Sequence, residues 1–254
     1  TFHSKLPDLA WHGEDLDVTV LFFQPLFSKM SESVTVGLCG QGADELHAGY
    51  PRYRDLSKHC KEIQNRLDDM NCNLENLEGE SWWSSNHSPQ NHTKSLKDFL
   101  QFELDHGQLS NFQLRLVDRH SMAHSLEVRV PFLGSRHRDA SNKLPMDWRL
   151  PSSLEEKAAL RSAAELTALP TEIIRRPKLP AGRATSPRMI DSLLEDLSPY
   201  VNKVAKRYPE LERALIKQPE ISIGLGLFEA MHILDGGTNK KSGDVSSLLD
   251  EVVG

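Results

Sequence analysis

No hydrophobic run in these 254 residues approaches the ~18 residues that a bilayer-spanning helix needs, so a membrane protein of that kind is excluded. Cysteine is scarce. Cys39, Cys60 and Cys72 are odd in number and lack C-x-x-C spacing, which excludes a disulfide framework and a zinc-finger pattern and predicts reduced, cytoplasmic thiols. On that reading the sequons at Asn86 and Asn91 carry no glycan. Positive charge is not in surplus. A formal net charge of −6 implies no basic face and argues against a general nucleic-acid binder. The start, Thr1-Phe-His-Ser-Lys-Leu-Pro7, lacks the charged and apolar regions of a signal peptide. What remains is 38% hydrophobic and 26% charged, the balance of a soluble globular chain able to bury a real core.

The most informative stretch is Val34-Thr-Val-Gly-Leu-Cys-Gly-Gln-Gly-Ala-Asp44-Glu45. Its apolar, β-branched start predicts a strand over Val34–Cys39, and the continuous apolar character fits a parallel strand covered on both faces. Gly40 and Gly42 let backbone N–H groups approach a ligand, at the start of a helix whose terminus favours an anion. Asp44 and Glu45 are hard oxygen ligands of the kind that hold Mg²⁺ beside phosphates. The alternative is an ordinary strand-turn-helix with solvated acids.

Elsewhere the pattern is mostly helical. Residues 18–30 read as a helix packed on a sheet, with a strand open for the first part, and 43–70 as helix broken near Gly49-Tyr50-Pro51. Residues 71–95 turn polar and read as an insertion that Trp82 and Trp83 pin to the body. From Leu96 the spacing is helical, with Ser152-Ser153 as a cap ahead of Glu155 and Glu156, and an irregular basic loop at Pro177, Pro180 and Gly182. A polar linker from 236 leads to an apolar tail at 245–254. His120 and His124 stand four apart but lack a third metal ligand, so they read as packing or surface residues.

Four segments carry a family resemblance. Cys39-Gly-Gln-Gly-Ala-Asp-Glu45 resembles the S-G-x-G-x-D-E motif of the asparagine synthetases. Asp118-Arg-His-Ser-Met to Glu127-Val-Arg-Val-Pro-Phe-Leu133 resembles their D-R-x-S-M…E-x-R-x-P-F-L stretch. Lys157-Ala-Ala-Leu-Arg161 is similar to K-x-x-L-R, and Leu169-Pro through Arg176-Pro-Lys178 to the L-P…R-x-K segment. The resemblance covers about residues 10–235 and implies an α/β fold, similar to the adenine nucleotide α-hydrolases, with a partial parallel sheet and mostly helix in this chain. It divides the chain into a partial synthetase domain over 1–235 and a tail over 236–254.

The implied reaction is ATP-dependent and AMP-forming: aspartate, or an aspartate-like carboxylate, becomes an adenylate that nitrogen converts to the amide. ATP and Mg²⁺ are the implied cofactors. The nitrogen is ammonia, free or glutamine-derived from a separate glutaminase domain or subunit. By resemblance Cys39, Gly40 and Gly42 border the AMP moiety, Asp44 binds Mg²⁺ with Glu45 nearby or structural, and Lys178 offsets phosphate charge with Lys157 or Arg176 assisting. Glu127 and Arg129 line the acceptor pocket; on an extended segment they share a face, so a simple ion pair is equally open.

Two departures stand out. No S-G-G-x-D-S pyrophosphate loop occurs, so the chain reads as beginning inside the synthetase domain. Gln41 replaces a carboxylate common in these enzymes; an amide orients an acceptor by hydrogen bonding but accepts no proton. β-Lactam synthetases also differ there, leaving another acceptor open, or a non-catalytic interaction subunit.

Overall fold

A computed structural model describes residues 3–72, 80–83, 89–179 and 187–254. In chain order the elements are α1 (Leu6–Asp8), α2 (Phe23–Ser31), β1 (Val36–Leu38), α3 (Ala43–His47) and α4 (Leu56–Asp69). Then come α5 (Pro89–Asp105), α6 (Leu114–Met122), β2 (Glu127–Arg129), α7 (Ser135–Asn142) and α8 (Met146–Arg149). The last are α9 (Ala158–Ala164), α10 (Thr171–Ile174), α11 (Pro187–Arg207), α12 (Glu212–Lys217), α13 (Pro219–Phe228) and α14 (Val245–Val253). The result is a mostly helical α/β chain with one small parallel sheet, as the sequence predicts.

That sheet places the site. β1 pairs in parallel with β2, with Val36 opposite Glu127 and Leu38 opposite Arg129. Under it lie Phe27 and Met30 of α2, Val117 of α6, and Leu126. Gly37 faces inward because a Cβ there would lie 2.8 Å from the Met30 methyl. A larger core gathers Leu193, Leu197 and Val204 of α11, Ile223 and Leu227 of α13, and Leu248 and Leu249 of α14. The apolar tail is thus a core helix, capped at its start by Asp244, whose side chain accepts from Ser247 N–H. A third cluster joins Tyr53, Leu56, Cys60, Phe99 and Leu100 around Trp82, which is 1% exposed. Trp82 therefore holds residues 80–83 to the body, as expected for the polar stretch. The remainder of that stretch at 73–79 and 84–88, with Asn86, and the Pro180–Gly182 loop lie outside the described residues, as does the side chain of Asn91.

Two expectations fail. Ser152-Ser153 cap no helix; α9 starts later, after Lys157 in left-handed backbone at φ 56°, with no side-chain cap. Nor is β1 covered on both faces: Leu38 is 73% exposed, and Val34 and Val36 also stand open. Parallel strands are ordinarily buried on both sides, and an open apolar strand invites association. We therefore expect the isolated chain to self-associate at micromolar concentrations, and Leu38→Lys to suppress this while leaving the melting temperature unchanged. Sedimentation velocity checks it; a wild-type monomer across that range contradicts it.

Candidate functional site

The Gly-rich turn is built by close packing. Gly42, the residue before α3, has φ +88°, and a Cβ there would lie 2.3 Å from Leu133 Cδ2. Only glycine combines that backbone with that neighbour. The Cys39 N–H donates to the Arg129 carbonyl at 2.8 Å, lacing the turn to the end of β2. Two of the motif segments thus touch each other. α3 then opens with Asp44 and Glu45 in its first turn, where carboxylates are favoured.

Asp44 receives two cations. Lys157 Nζ lies 2.8 Å from Oδ1, and Lys178 Nζ lies 3.0 Å from Oδ2. All three side chains are mostly buried, the carboxylate at 13% exposure. Burial alone would raise the Asp44 pKa, but Lys157 and Lys178 outweigh it and hold the carboxyl below its usual range. Gly49 closes on the same group: a Cβ would lie 2.0 Å from Asp44 Oδ1 and 2.8 Å from Lys157 Cε. Gly49→Ala should consequently displace the bridge and cost about 1–3 kcal/mol in urea denaturation. An unchanged midpoint would show that the bridge moves freely.

A second layer orders the lysines. Arg161 donates to the Glu156 carbonyl at 3.0 Å, the Ile174 carbonyl at 2.7 Å and the Arg176 carbonyl at 2.9 Å. Glu156 pairs with Arg54 and Arg161 and accepts from the Lys178 N–H at 3.2 Å. The loop that ends in Lys178 is therefore tied to α9 through its backbone. Between them opens a cleft of about 380 Å³ whose cationic lining is Lys157, Arg161, Arg176 and Lys178. Among the described residues no Asp or Glu lines it. Arg175 is engaged by Glu155 and Glu165, whereas the exposed Arg176 guanidinium has no ion pair among the described residues. Its wall can receive an anion.

Tyr50 backs the cluster. Its ring lies 5.1 Å from Lys178 Nζ and 4.1 Å from the Arg52 guanidinium, and its hydroxyl accepts from Gln113 at 3.0 Å. Burial, then the Glu45 and Asp44 charges, raise the phenol pKa, so the ring stays neutral beneath the cations. Glu45 is fully buried, and neither of its oxygens has a hydrogen-bond partner. Burial above all, with Asp44 and Glu103 adding, pushes its pKa up to about 7.

Of the residues singled out in the sequence, the structure brings Asp44, Lys157 and Lys178 together and places Arg176 beside them. Cys39, Gly40, Gln41 and Gly42 form the adjoining turn, with no side-chain hydrogen bond at Gln41 among the described residues. Glu127 and Arg129 are exposed on β2 and paired with each other at 2.8 Å. His120 is fully buried and joined to His124 through Gln24. Glu156, Arg161 and Tyr50 were missed as functional positions, although Arg161 closes the K-x-x-L-R match. Among the described residues, no group of three or more His, Cys, Asp or Glu side chains is placed to hold a metal ion.

Comparison with known proteins accords with this geometry. The asparagine synthase family model matches residues 2–222. Glutamine-hydrolyzing asparagine synthetase 1 of Bacillus subtilis (strain 168) is 26% identical over 226 residues, covering 70% of this chain and 35% of that protein. The Gallus gallus asparagine synthetase is 36% identical over 107 residues, covering 39% and 19%. The Mus musculus protein is 44% identical over 68 residues, covering 26% and 12%. The chain thus spans about a third of the Bacillus protein's length and less of the others.

Proposed function

The chain belongs to the asparagine synthase family, and on that premise we propose that it is the synthetase part of an ATP-dependent, AMP-forming amide-forming ligase. The observation that carries the reading is the Lys157–Asp44–Lys178 cluster at the edge of a cationic cleft. Lys157, Lys178 and Arg176 suit a polyphosphate, whose charge they offset as it develops, with little reorganisation because Arg161 and Glu156 already fix the loop. ATP fits these residues.

Mg²⁺ fits them less fully. Asp44 has both oxygens facing ammonium groups, and the neighbouring Glu156 is engaged by Arg54 and Arg161. A Mg²⁺ ion here would take Asp44 as its protein ligand and draw its other oxygens from phosphates and water, as this cation commonly does. It would supply charge neutralisation on the pyrophosphate. Glu45, fully buried and with its pKa pushed up to about 7, supports α3 from within on this reading.

In our reading the backbone of Cys39, Gly40 and Gly42 borders the AMP moiety, and Gln41 orients the acceptor. Glu127 and Arg129 form the outer wall of the acceptor pocket. The acceptor is aspartate or a similar carboxylate, attacked as its adenylate by ammonia from a glutaminase domain or subunit. No S-G-G-x-D-S loop occurs in these residues, so on this reading activity requires a pyrophosphate cradle supplied by a segment other than these residues. Gln41 favours a second reading, in which the same chemistry serves a different acceptor.

Carboxylate-dependent exchange between ATP and labelled pyrophosphate tests this, run on the chain alone and together with a polypeptide that carries an S-G-G-x-D-S loop. Exchange that requires aspartate and falls at least about a hundredfold in Lys178→Ala is the expected result. Exchange with a bulkier carboxylate alone selects the second reading. No exchange with any carboxylate, and no ATP binding, overturns both.

A further inference from the structure

A separate cavity of about 550 Å³ lies across α9 from the cationic cleft, between α7, α8 and α9, and Leu160 lines both. Its apolar lining comes from Ala140 and Leu144 and from the α9 alanines. Trp148, 60% exposed, stands at its mouth. A polar edge is formed by His137 and Ser141, at helical spacing with Ala140 and Leu144, together with His47; among the described residues no Lys or Arg lines the cavity. Asp147, the one acid of the lining, is exposed to solvent.

The two imidazoles face each other. Their Nε2 atoms are 2.9 Å apart and the ring centroids 5.1 Å apart, so the nitrogens lie nearly on the line joining the rings. That is one N–H···N hydrogen bond, with a single proton between the rings. Two imidazoles sharing a metal ion at the usual metal–nitrogen distance would hold these nitrogens farther apart than 2.9 Å, with their lone pairs angled towards the ion, so this is no coordination site. Ser141 Oγ lies 3.2 Å from the same His47 nitrogen. His47 is 3% exposed, and its Nδ1 has no hydrogen-bond partner. Burial, then His137, Arg149 and Lys157, push its pKa down to about 4, against the opposing pull of Asp44. His47 is therefore uncharged at neutral pH.

We propose that this cavity binds an uncharged, planar heteroaromatic molecule, its ring lying between Trp148 and the alanine wall and a polar ring atom meeting the imidazole pair. Pockets of this size with apolar walls and a few convergent polar groups are the usual form of small-molecule sites. The alanine lining leaves a slot for a flat ring, and Trp148 offers it a face. A purely aliphatic ligand leaves the imidazole edge unsatisfied. An anion finds no cation in the lining, and a cation finds only the solvated Asp147, so either charge is desolvated without return. The cavity shares only Leu160 with the lining of the cationic cleft, and the inference does not rest on what that cleft binds.

Ligand-observed NMR of the full chain at pH 8 tests it, with indole and benzimidazole as neutral probes and benzoate and benzylammonium as charged ones. The neutral probes should bind saturably with Kd of about 1 mM or tighter, and the charged ones about tenfold more weakly. Ala159→Phe, which fills the slot, should weaken the neutral probes at least about tenfold, and the exposed Trp148→Ala several-fold. Lys178→Ala should leave them unchanged, which separates this cavity from the cleft. The proposal is overturned by the absence of saturable neutral binding, by equal binding of the charged probes, or by indifference to both cavity variants.

Discussion

Glu45→Gln should make the protein more stable by about 2–3 kcal/mol at pH 8 while changing little at pH 4. The side chain is fully buried, neither oxygen is hydrogen-bonded, and its pKa is raised from 4.5 to about 7. A folded-state pKa above the unfolded one means that the folded chain binds the extra proton. The group's stabilising contribution is fully present below about pH 4.5 and is lost as pH rises through about 7. Wild-type stability should thus fall across that window, and the amide, which never ionises, should flatten the fall. Urea denaturation at half-unit pH steps reads both curves. Parallel curves for the two proteins would mean that Glu45 ionises freely in the fold. Asp44 works at the other end: its pKa is lowered, so its contribution is present above about 3.8 and is lost as pH falls below that. The two neighbours in α3 therefore bracket a pH range in which one is charged and the other is not.

Much of this arrangement was legible before any coordinates. The β-branched run before Gly40 folds as a parallel strand, and the break at Gly49-Tyr50-Pro51 falls between α3 and a 3-10 turn at Pro51–Arg54. The meeting of Asp44 with Lys178, separated by 134 positions, is what the family resemblance implies and not what any spacing shows. Other features were not legible because they depend on what packs nearby. The apolar residues of β1 look the same whether a second layer covers them or not. Ser152-Ser153 has good capping chemistry, but Glu156 is recruited by Arg54 and Arg161, and the backbone enters α9 through left-handed Leu154 and Lys157. The run at 245–254 resembles a tail in composition and is a core helix because Leu248 and Leu249 meet α11 and α13. Arg161 and Tyr50 act through backbone carbonyls and a ring face, contacts that leave no spacing signature.

Asp44→Asn should separate the structural from the electrostatic function of the bridge, because it moves two measurements in opposite directions. The substitution leaves the ammonium groups of Lys157 and Lys178 together, each about a fifth exposed, with no carboxylate between them. Removing one partner of a buried ion pair costs more than the pair contributes; with this residual exposure we expect a loss of about 2–3 kcal/mol. The same change makes the cleft more positive. Inorganic tripolyphosphate in the presence of a chelator should then bind several-fold tighter than to wild type, and more so at low ionic strength. Lys157→Met and Lys178→Met should do the reverse, weakening tripolyphosphate while leaving Asp44 with one cation. If Asp44 also holds Mg²⁺ on the nucleotide, Asp44→Asn loses the gain that Mg²⁺ gives to ATP affinity although its metal-free affinity rises. Titration calorimetry with and without Mg²⁺ resolves the two. Tripolyphosphate bound more weakly by Asp44→Asn than by wild type would show that the lysines need the carboxylate to hold their positions. The bridge would then be a positioning device more than a charge that phosphate must displace.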